Sequence, residues 1–185
     1  MSDRRYAAAT AWWRRLQPNF ADGSRNPQGD RAALAKLRRC ASVTEAMQEP
    51  ATMELFRDLG FTHPKDLPAA ALAAAVLASV RESAPPFPPF ARAIGPIDMT
   101  KPETAAVKPL RFRRLIEADT PDDRLLAFRR AVALLGGKVP LNSLAEALLD
   151  WSPERRQRWI FDYWNATERP LAAIAPQSSA EGQAP

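Results

Sequence analysis

Residues 111–136, RFRRLIEADTPDDRLLAFRRAVALLG, predict two short amphipathic helices joined by a tight turn. In the first helix, Phe112, Leu115 and Ile116 share one face at i, i+3 and i+4 spacing. Arg111 and Arg114 turn away from that face. Thr120 is a candidate N-cap for the second helix, the proline after it suits the first helical position, and two aspartates follow where the helix dipole favours negative charge. The unit presents no obvious catalytic group.

The second helix of this unit also separates apolar from basic side chains. Its apolar stripe consists of Leu125, Phe128, Val132 and Leu135. Arg130 lies across the helix from that stripe and Arg129 lies at its edge, while Gly136-Gly137 supplies the C-terminal stop. Apolar faces inside and arginines outside are typical of a helical scaffold that presents positive charge.

The composition of the whole chain predicts an all-α fold. Glycine is scarce, with 7 among 185 residues, and valine and isoleucine form no alternating runs, so strands have little support. Most of the 18 prolines stand between periodic segments or in the tail. The length suits one ordinary domain or two small helical lobes that share an interface.

Basic charge is concentrated near the N-terminus and at the start of the two-helix unit. Residues 1–40 hold nine Arg or Lys and three Asp or Glu, and 108–115 hold four basic residues and no acid. Clustered arginines, a net charge of +5 and a pI near 9.9 suit a polyanionic partner, because the planar guanidinium matches phosphate. Solvated surface, or the arginine-rich composition of a GC-rich genome, explains the same charge without a ligand.

One predicted helix places its arginines on a single exposed face. Asp30 caps a helix over 31–40 whose apolar side includes Cys40, the one cysteine. The opposite side gathers Arg31, Arg38 and Arg39 at i, i+7 and i+8. A solvated face is the alternative interpretation of this pattern.

Several classes of function have no support in the sequence. A single cysteine and a single histidine, His63, leave no disulfide, no thiolate metal site and no zinc site of several imidazoles. There is no Gly-rich phosphate loop, paired-His helix or nucleophile elbow. We therefore expect no catalytic residue, no metal and no cofactor. Because no apolar run is long enough for a bilayer, we expect a cytoplasmic protein.

The remaining segments divide the chain into lobes. We predict an N-terminal helical lobe over 1–83, a Pro-rich linker and surface loop over 84–108, a C-terminal helical lobe over 109–168 and a disordered tail over 169–185. Within 84–108, APPFPPF (84–90) is interpreted as a stiff linker, with an SH3-like ligand as the alternative.

Within the lobes, three helices have features that the structure can test. An alanine-rich helix runs from Pro68 to about Ser83, and a last helix runs from a Ser152 cap to about Thr167. The last helix has an aromatic stripe that we assign to the core: Trp159, Ile160, Tyr163 and Trp164. In the first helix, over 4–16, one of the adjacent Trp12 and Trp13 should face the core and the other an interface between lobes or subunits.

The order and spacing of several short segments resemble the CasB family, the small subunit of the type I-E CRISPR surveillance complex, Cascade. No single segment is diagnostic, but together they span most of residues 5–165. The segments are AWWRRL (11–16), DRAALAKLRR (30–39), RFRRLIEAD (111–119), LAFRRAVALL (126–135), VPL (139–141) leading to LDW (149–151), and RW (158–159) before an aromatic pair.

The resemblance implies two small helical bundles and a non-catalytic role in antiviral defence. The subunit would occur as a pair in the complex and would bind the displaced DNA strand, stabilising the R-loop while guide RNA pairs with target DNA. Positions that match basic residues of the family are Arg38, Arg39, Lys65, Arg111 and Arg130. Arg114 and Arg129 are added from the helix faces described above. The proline-rich 84–90 segment and the 95–108 loop depart from the family and bear on how the lobes are arranged.

Two other functions remain open on the sequence alone. In a protein–protein adaptor the arginines would contact acidic partner surfaces, with Trp12 or Trp13 as an anchor. A helical transcription regulator would need a recognition helix with base-reading side chains, which the sequence does not show.

Overall fold

Ten α-helices form most of the part of the chain that the computed structural model describes, residues 2–18 and 29–166. In chain order they are α1 (Ser2–Leu16), α2 (Arg31–Arg39), α3 (Val43–Met47), α4 (Pro50–Asp58), α5 (Leu67–Leu77), α6 (Phe90–Ile94), α7 (Pro109–Ile116), α8 (Pro121–Leu134), α9 (Leu141–Leu149) and α10 (Pro153–Tyr163). Short 3₁₀ turns cover Pro64–Asp66 and Pro102–Thr104. The all-α prediction is confirmed. Within the described residues, no helix combines the length and the apolarity of a membrane span.

The predicted helix starts coincide with hydrogen-bonded caps. Asp30 accepts from the backbone N–H of Ala33, and Thr120 accepts from that of Asp123 at 3.1 Å. The Ser152 side chain, the predicted cap of α10, accepts in the same way, and so does that of Ser42 at the start of α3. Each cap satisfies a backbone donor that the helix itself leaves unpaired, so local sequence is sufficient to fix these four starts.

The alanine-rich helix ends earlier than its composition predicts. It was expected to reach Ser83, but α5 ends at Leu77, and Glu82–Ser83 (β1) pair in parallel with Lys138–Val139 (β2). The carbonyl of Gly137 accepts from the backbone N–H groups of Arg81 and Glu82, and Val139 accepts from Ala84 at 2.8 Å. Hydrogen bonds to a distant segment therefore replace the last helical turn, which a local period cannot reveal.

The segment predicted as linker and loop contains a helix. In α6, Phe90 and Ile94 are fully buried. The ring centroids of Phe90 and of Trp159 in α10 are 5.6 Å apart. Gly95 ends α6 directly against the carbonyl of Tyr163, where a Cβ atom would clash. Burial against α10 stabilises a helix too short to form by itself.

Trp12 and Trp13 are both core residues, and one prediction about the stripe of α10 is wrong. Trp12 and Trp13 are both buried within this chain, with the Trp12 indole N–H donating to the carbonyl of Ala51 at 3.1 Å. Trp159 and Tyr163 are core residues as predicted, but Ile160 is 41% exposed because it projects from the solvent side of α10. The predicted tail over 169–185 and residues 19–28 between α1 and α2 lie outside the described residues.

One buried core extends through both halves of the described chain. Helix α5 packs against α3 and α4 on one side and against α8 and α9 on the other, and α1 also contacts α9. An edge-to-face aromatic cluster of Phe128, Trp151 and Trp159 fills the C-terminal part of this core. The boundaries predicted for two lobes stay a prediction, and they would divide a shared core.

Candidate nucleic-acid interface

A groove of about 620 Å³ lies between α7 and α8. Helix α7 contributes Arg111, Arg114 and Leu115, at i, i+3 and i+4. Helix α8 contributes five residues from two successive turns: Ala127, Arg130, Ala131, Ala133 and Leu134. Val107 lines the groove from the segment before α7. Because side chains three and four apart share a helix face, two helical faces meet here. Their lining combines aliphatic side chains, which we call the floor of the groove, with three arginines.

Three of the predicted arginines meet at this groove without a partner. Arg111, Arg114 and Arg130 are exposed, and within residues 2–18 and 29–166 none of their guanidinium groups makes a hydrogen bond or an ion pair. No carboxylate is among the lining residues that the structure describes. Three unpaired positive charges with no nearby acid in the lining create a positive potential that favours an anionic ligand.

The position of α7 depends on an aromatic stack with α10. The rings of Phe112 and Tyr163 are nearly parallel, at 8°, with centroids 3.8 Å apart. The Tyr163 hydroxyl donates to the carbonyl of Val107 at 2.7 Å, which fixes the backbone at one edge of the groove. Helix α8 packs on the same helix α10 one turn earlier, where Phe128 contacts Trp159, and Phe128 also contacts Trp151. Both helices are thus anchored on α10 about one turn apart, and the groove is the space left between them.

Burial raises the pKa of Tyr163 to about 12, because the fully buried phenol loses water that would solvate its charged form. The unfolded chain releases this proton at about pH 10, so the stability that the buried neutral phenol contributes is fully present below that pH and is lost between about pH 10 and 12. We expect the free energy of unfolding to fall by roughly 1.4 kcal/mol per pH unit over that window. Urea unfolding of the wild type and of Tyr163→Phe at several pH values measures this slope. The variant should be less stable at pH 8, through the lost hydrogen bond, and show a flatter slope; equal slopes would contradict the assignment.

Arg129, which the sequence also placed at the interface, is bonded inside the protein. Its Nη1 donates to the carbonyl of Cys40 at 2.7 Å, and its Nη2 donates to that of Leu37 at 2.6 Å. The carbonyl of Ala75 accepts from both Nε and Nη2 at 3.3 Å. Burial lowers the pKa of Arg129, and the proximity of Cys40 acts in the opposite direction. The cation satisfies carbonyls at the C-terminal ends of α2 and α5, where the helix dipoles favour it.

The other three predicted basic residues do not line the groove. Arg38 is exposed but its Nε donates to the carbonyl of Ala78, just after α5, at 2.5 Å. Arg39 lines a separate cavity of about 330 Å³ together with Glu45 and Glu49, so acids offset its charge. Lys65 is exposed in the first 3₁₀ turn. The structure therefore brings together Arg111, Arg114 and Arg130, and places Arg38, Arg39 and Lys65 elsewhere.

Sequence reasoning missed the aliphatic floor of the groove. The stripe predicted on α8 includes Leu125 and Phe128, which are buried in the core. A second stripe beside it lines the groove and consists of Ala127, Ala131 and Leu134. The i, i+4, i+7 spacing of that second stripe was available as a signal. Its alanines are too small to stand out as an apolar face, and Leu134 remains 44% exposed.

The fold and the groove define the class of protein, an all-α chain whose conspicuous surface feature is an unpaired arginine cluster. The model of the family described as CRISPR-associated protein Cse2 (CRISPR_cse2) matches residues 33–164, which include α7, α8 and the groove between them. The chain belongs to this family, which is the CasB small subunit of type I-E Cascade. Neither the curated proteins nor the solved structures gave a significant match to the chain.

Proposed function

We propose that this chain is a non-catalytic nucleic-acid-binding subunit of Cascade and that the groove between α7 and α8 binds a polynucleotide backbone. The observation that supports this most strongly is the convergence of three unpaired guanidinium groups, from Arg111, Arg114 and Arg130, on one groove whose described lining has no acid. Guanidinium groups form charge-assisted, often bidentate hydrogen bonds with phosphate. Such contacts are independent of base identity, so the binding is tolerant of sequence.

In the complex, this site would hold the displaced DNA strand while guide RNA pairs with the target strand. Exchange of a DNA duplex for an RNA–DNA heteroduplex is nearly balanced in free energy, so a modest gain from backbone contacts shifts it towards the open R-loop. The exposed Arg38, Arg39 and Lys65 would add separate backbone contacts outside the groove, and a second copy of the chain would repeat the set. Arg129 supports the structure from within, through its backbone hydrogen bonds.

The alternative is a protein–protein adaptor in which the same arginines contact acidic surfaces of other subunits. Arg39 beside Glu45 and Glu49 shows a basic residue in a setting of mixed charge, which is typical of protein interfaces as well as of free surface. If the chain is an adaptor, assembly of the complex depends on Arg111, Arg114 and Arg130. Retention of nucleic acid then does not depend on them.

A salt titration of the purified chain with single-stranded DNA, duplex DNA and RNA of mixed sequence tests the proposal. We expect binding to all sequences, with log Kd changing linearly with log salt and a slope of about 0.7 for each single-strand phosphate contacted. Three groove contacts alone would give a slope of about 2 for single-stranded DNA. Failure to bind any of the three at low salt would contradict the proposal and favour the adaptor.

A further inference from the structure

The groove is larger than phosphate binding requires, and its floor is apolar. A phosphate group can be bound on a flat surface by exposed arginines, with no cavity. This groove has a volume of about 620 Å³, within the range of roughly 300–1,000 Å³ that is usual for small-molecule sites. Leu115, Ala131 and Leu134 are among the side chains that form its floor.

We infer that the groove takes an unstacked nucleobase from a single strand, while the arginines beside it bind the adjoining phosphates. The inference rests on the proposed function and adds the chemical class of the occupant. The faces of a base are apolar and its sugar–phosphate is anionic, so one nucleotide matches both the floor and the rim. A guanidinium plane can also stack on a base, so Arg111, Arg114 or Arg130 could cover a base lying on the floor.

The exposure of Leu134 supports an occupant that has an apolar part. This side chain is 44% exposed and lines the same groove as Arg111, Arg114 and Arg130, with Arg130 one turn before it on α8. A base that covered Leu134 would remove apolar surface from water, which is favourable in proportion to the area buried. A duplex cannot provide this contact without unstacking a base, so the groove favours single strands over duplexes.

The chain offers a matched pair of leucines for the test. Leu134 and Leu126 are both exposed on α8, at 44% and 50%, but only Leu134 lines the groove. Replacing either one with alanine leaves all arginines in place and removes no buried side chain. The probes are a mixed-sequence single-stranded DNA and a fully abasic oligonucleotide of the same length, which has the same number of phosphates and no base in any register.

We expect the wild type and Leu126→Ala to bind the intact strand roughly five- to tenfold more tightly than the abasic strand, which is the lower end of the range for a single base contact. In Leu134→Ala this ratio should fall towards one, since the base and the leucine contribute through the same contact. Equal affinity of the wild type for both strands, with equal salt slopes, would overturn the inference and leave the phosphate-binding function intact. A base preference that Leu134→Ala and Leu126→Ala reduce equally would overturn it too.

Failure of the proposed function itself has a different signature, which is no binding of either strand at low salt. The same variants would also reveal a protein partner that occupies the groove. Leu134→Ala would then impair assembly of the complex, while the wild type would bind intact and abasic strands equally, and that result would overturn the inference.

Discussion

Replacing Arg111, Arg114 and Arg130 together with alanine is expected to weaken single-stranded DNA binding by on the order of a hundred- to a thousandfold at low salt. Each lost charge-assisted contact with phosphate accounts for roughly 1–1.5 kcal/mol, and a factor of ten in Kd corresponds to about 1.4 kcal/mol. The salt slope should decrease by about 2, because each single-strand phosphate contact contributes about 0.7. The loss should be similar for all sequences, as backbone contacts require.

The matched control also removes three positive charges, but from arginines outside the groove. Arg14, Arg57 and Arg113 are exposed, and none of them lines the groove; Arg113 lies on α7 itself. The Arg14→Ala/Arg57→Ala/Arg113→Ala variant should lose only a small part of the affinity, through the lower net charge. Equal losses in the two triple variants would show that binding depends on net charge and not on the groove.

The same two variants distinguish the proposed function from the adaptor. In Cascade reconstituted with the groove variant, we expect the complex to assemble and R-loop formation to be weakened. Assembly can be measured by co-purification of the subunits, and R-loop formation by a gel-shift or strand-accessibility assay on target DNA. A groove variant that fails to assemble, while the isolated chain still binds oligonucleotides normally, would favour the adaptor.

Replacing Arg129 with methionine is expected to destabilise the fold by about 3 kcal/mol. The methionine keeps much of the apolar stem but removes the donors that now bond the carbonyls of Leu37, Cys40 and Ala75. A partly buried acceptor left without a donor costs about 1–3 kcal/mol. For a chain of this size the melting temperature should fall by about 6–12 °C.

Arg130 is the internal control, because it is the next residue on α8 but lies on the exposed side. Arg130→Met should change the free energy of unfolding by no more than about 0.5 kcal/mol and should weaken DNA binding. Arg129→Lys should keep the charge and still lose much of the stability, since an ammonium cannot reproduce the planar fork of donors. Urea unfolding and a DNA titration of the three variants measure both properties. Similar stability of the two methionine variants would refute the structural role of Arg129.

Helix starts and apolar faces were predictable from the sequence because they depend on residues a few positions apart. The capping side chains of Asp30, Thr120 and Ser152 bond to backbone N–H groups within the next three residues. The stripes of α7 and α8 follow from helical periodicity, and Phe112, Leu115, Leu125 and Phe128 are buried as predicted. The same local patterns, in their order, led to the family that the match over 33–164 shows.

The tertiary structure decided which basic residues are available. Arg129 and Arg130 are adjacent in sequence, yet the bonding partners of Arg129 lie 54, 89 and 92 positions away, so no local pattern distinguishes the two. The shortening of α5 and the β1–β2 pairing have the same origin, in hydrogen bonds to a segment more than 50 residues later.

The sequence by itself determined the helical class, the family, and the outward positions of Arg111, Arg114 and Arg130. It did not determine that these three arginines share one groove, which results from how α7 and α8 are anchored. Phe112 stacks on Tyr163 of α10, and Phe128 packs into the cluster with Trp151 and Trp159. Helical periodicity fixes the direction of a side chain from its own helix, whereas the distance between two helices depends on packing against other parts of the chain.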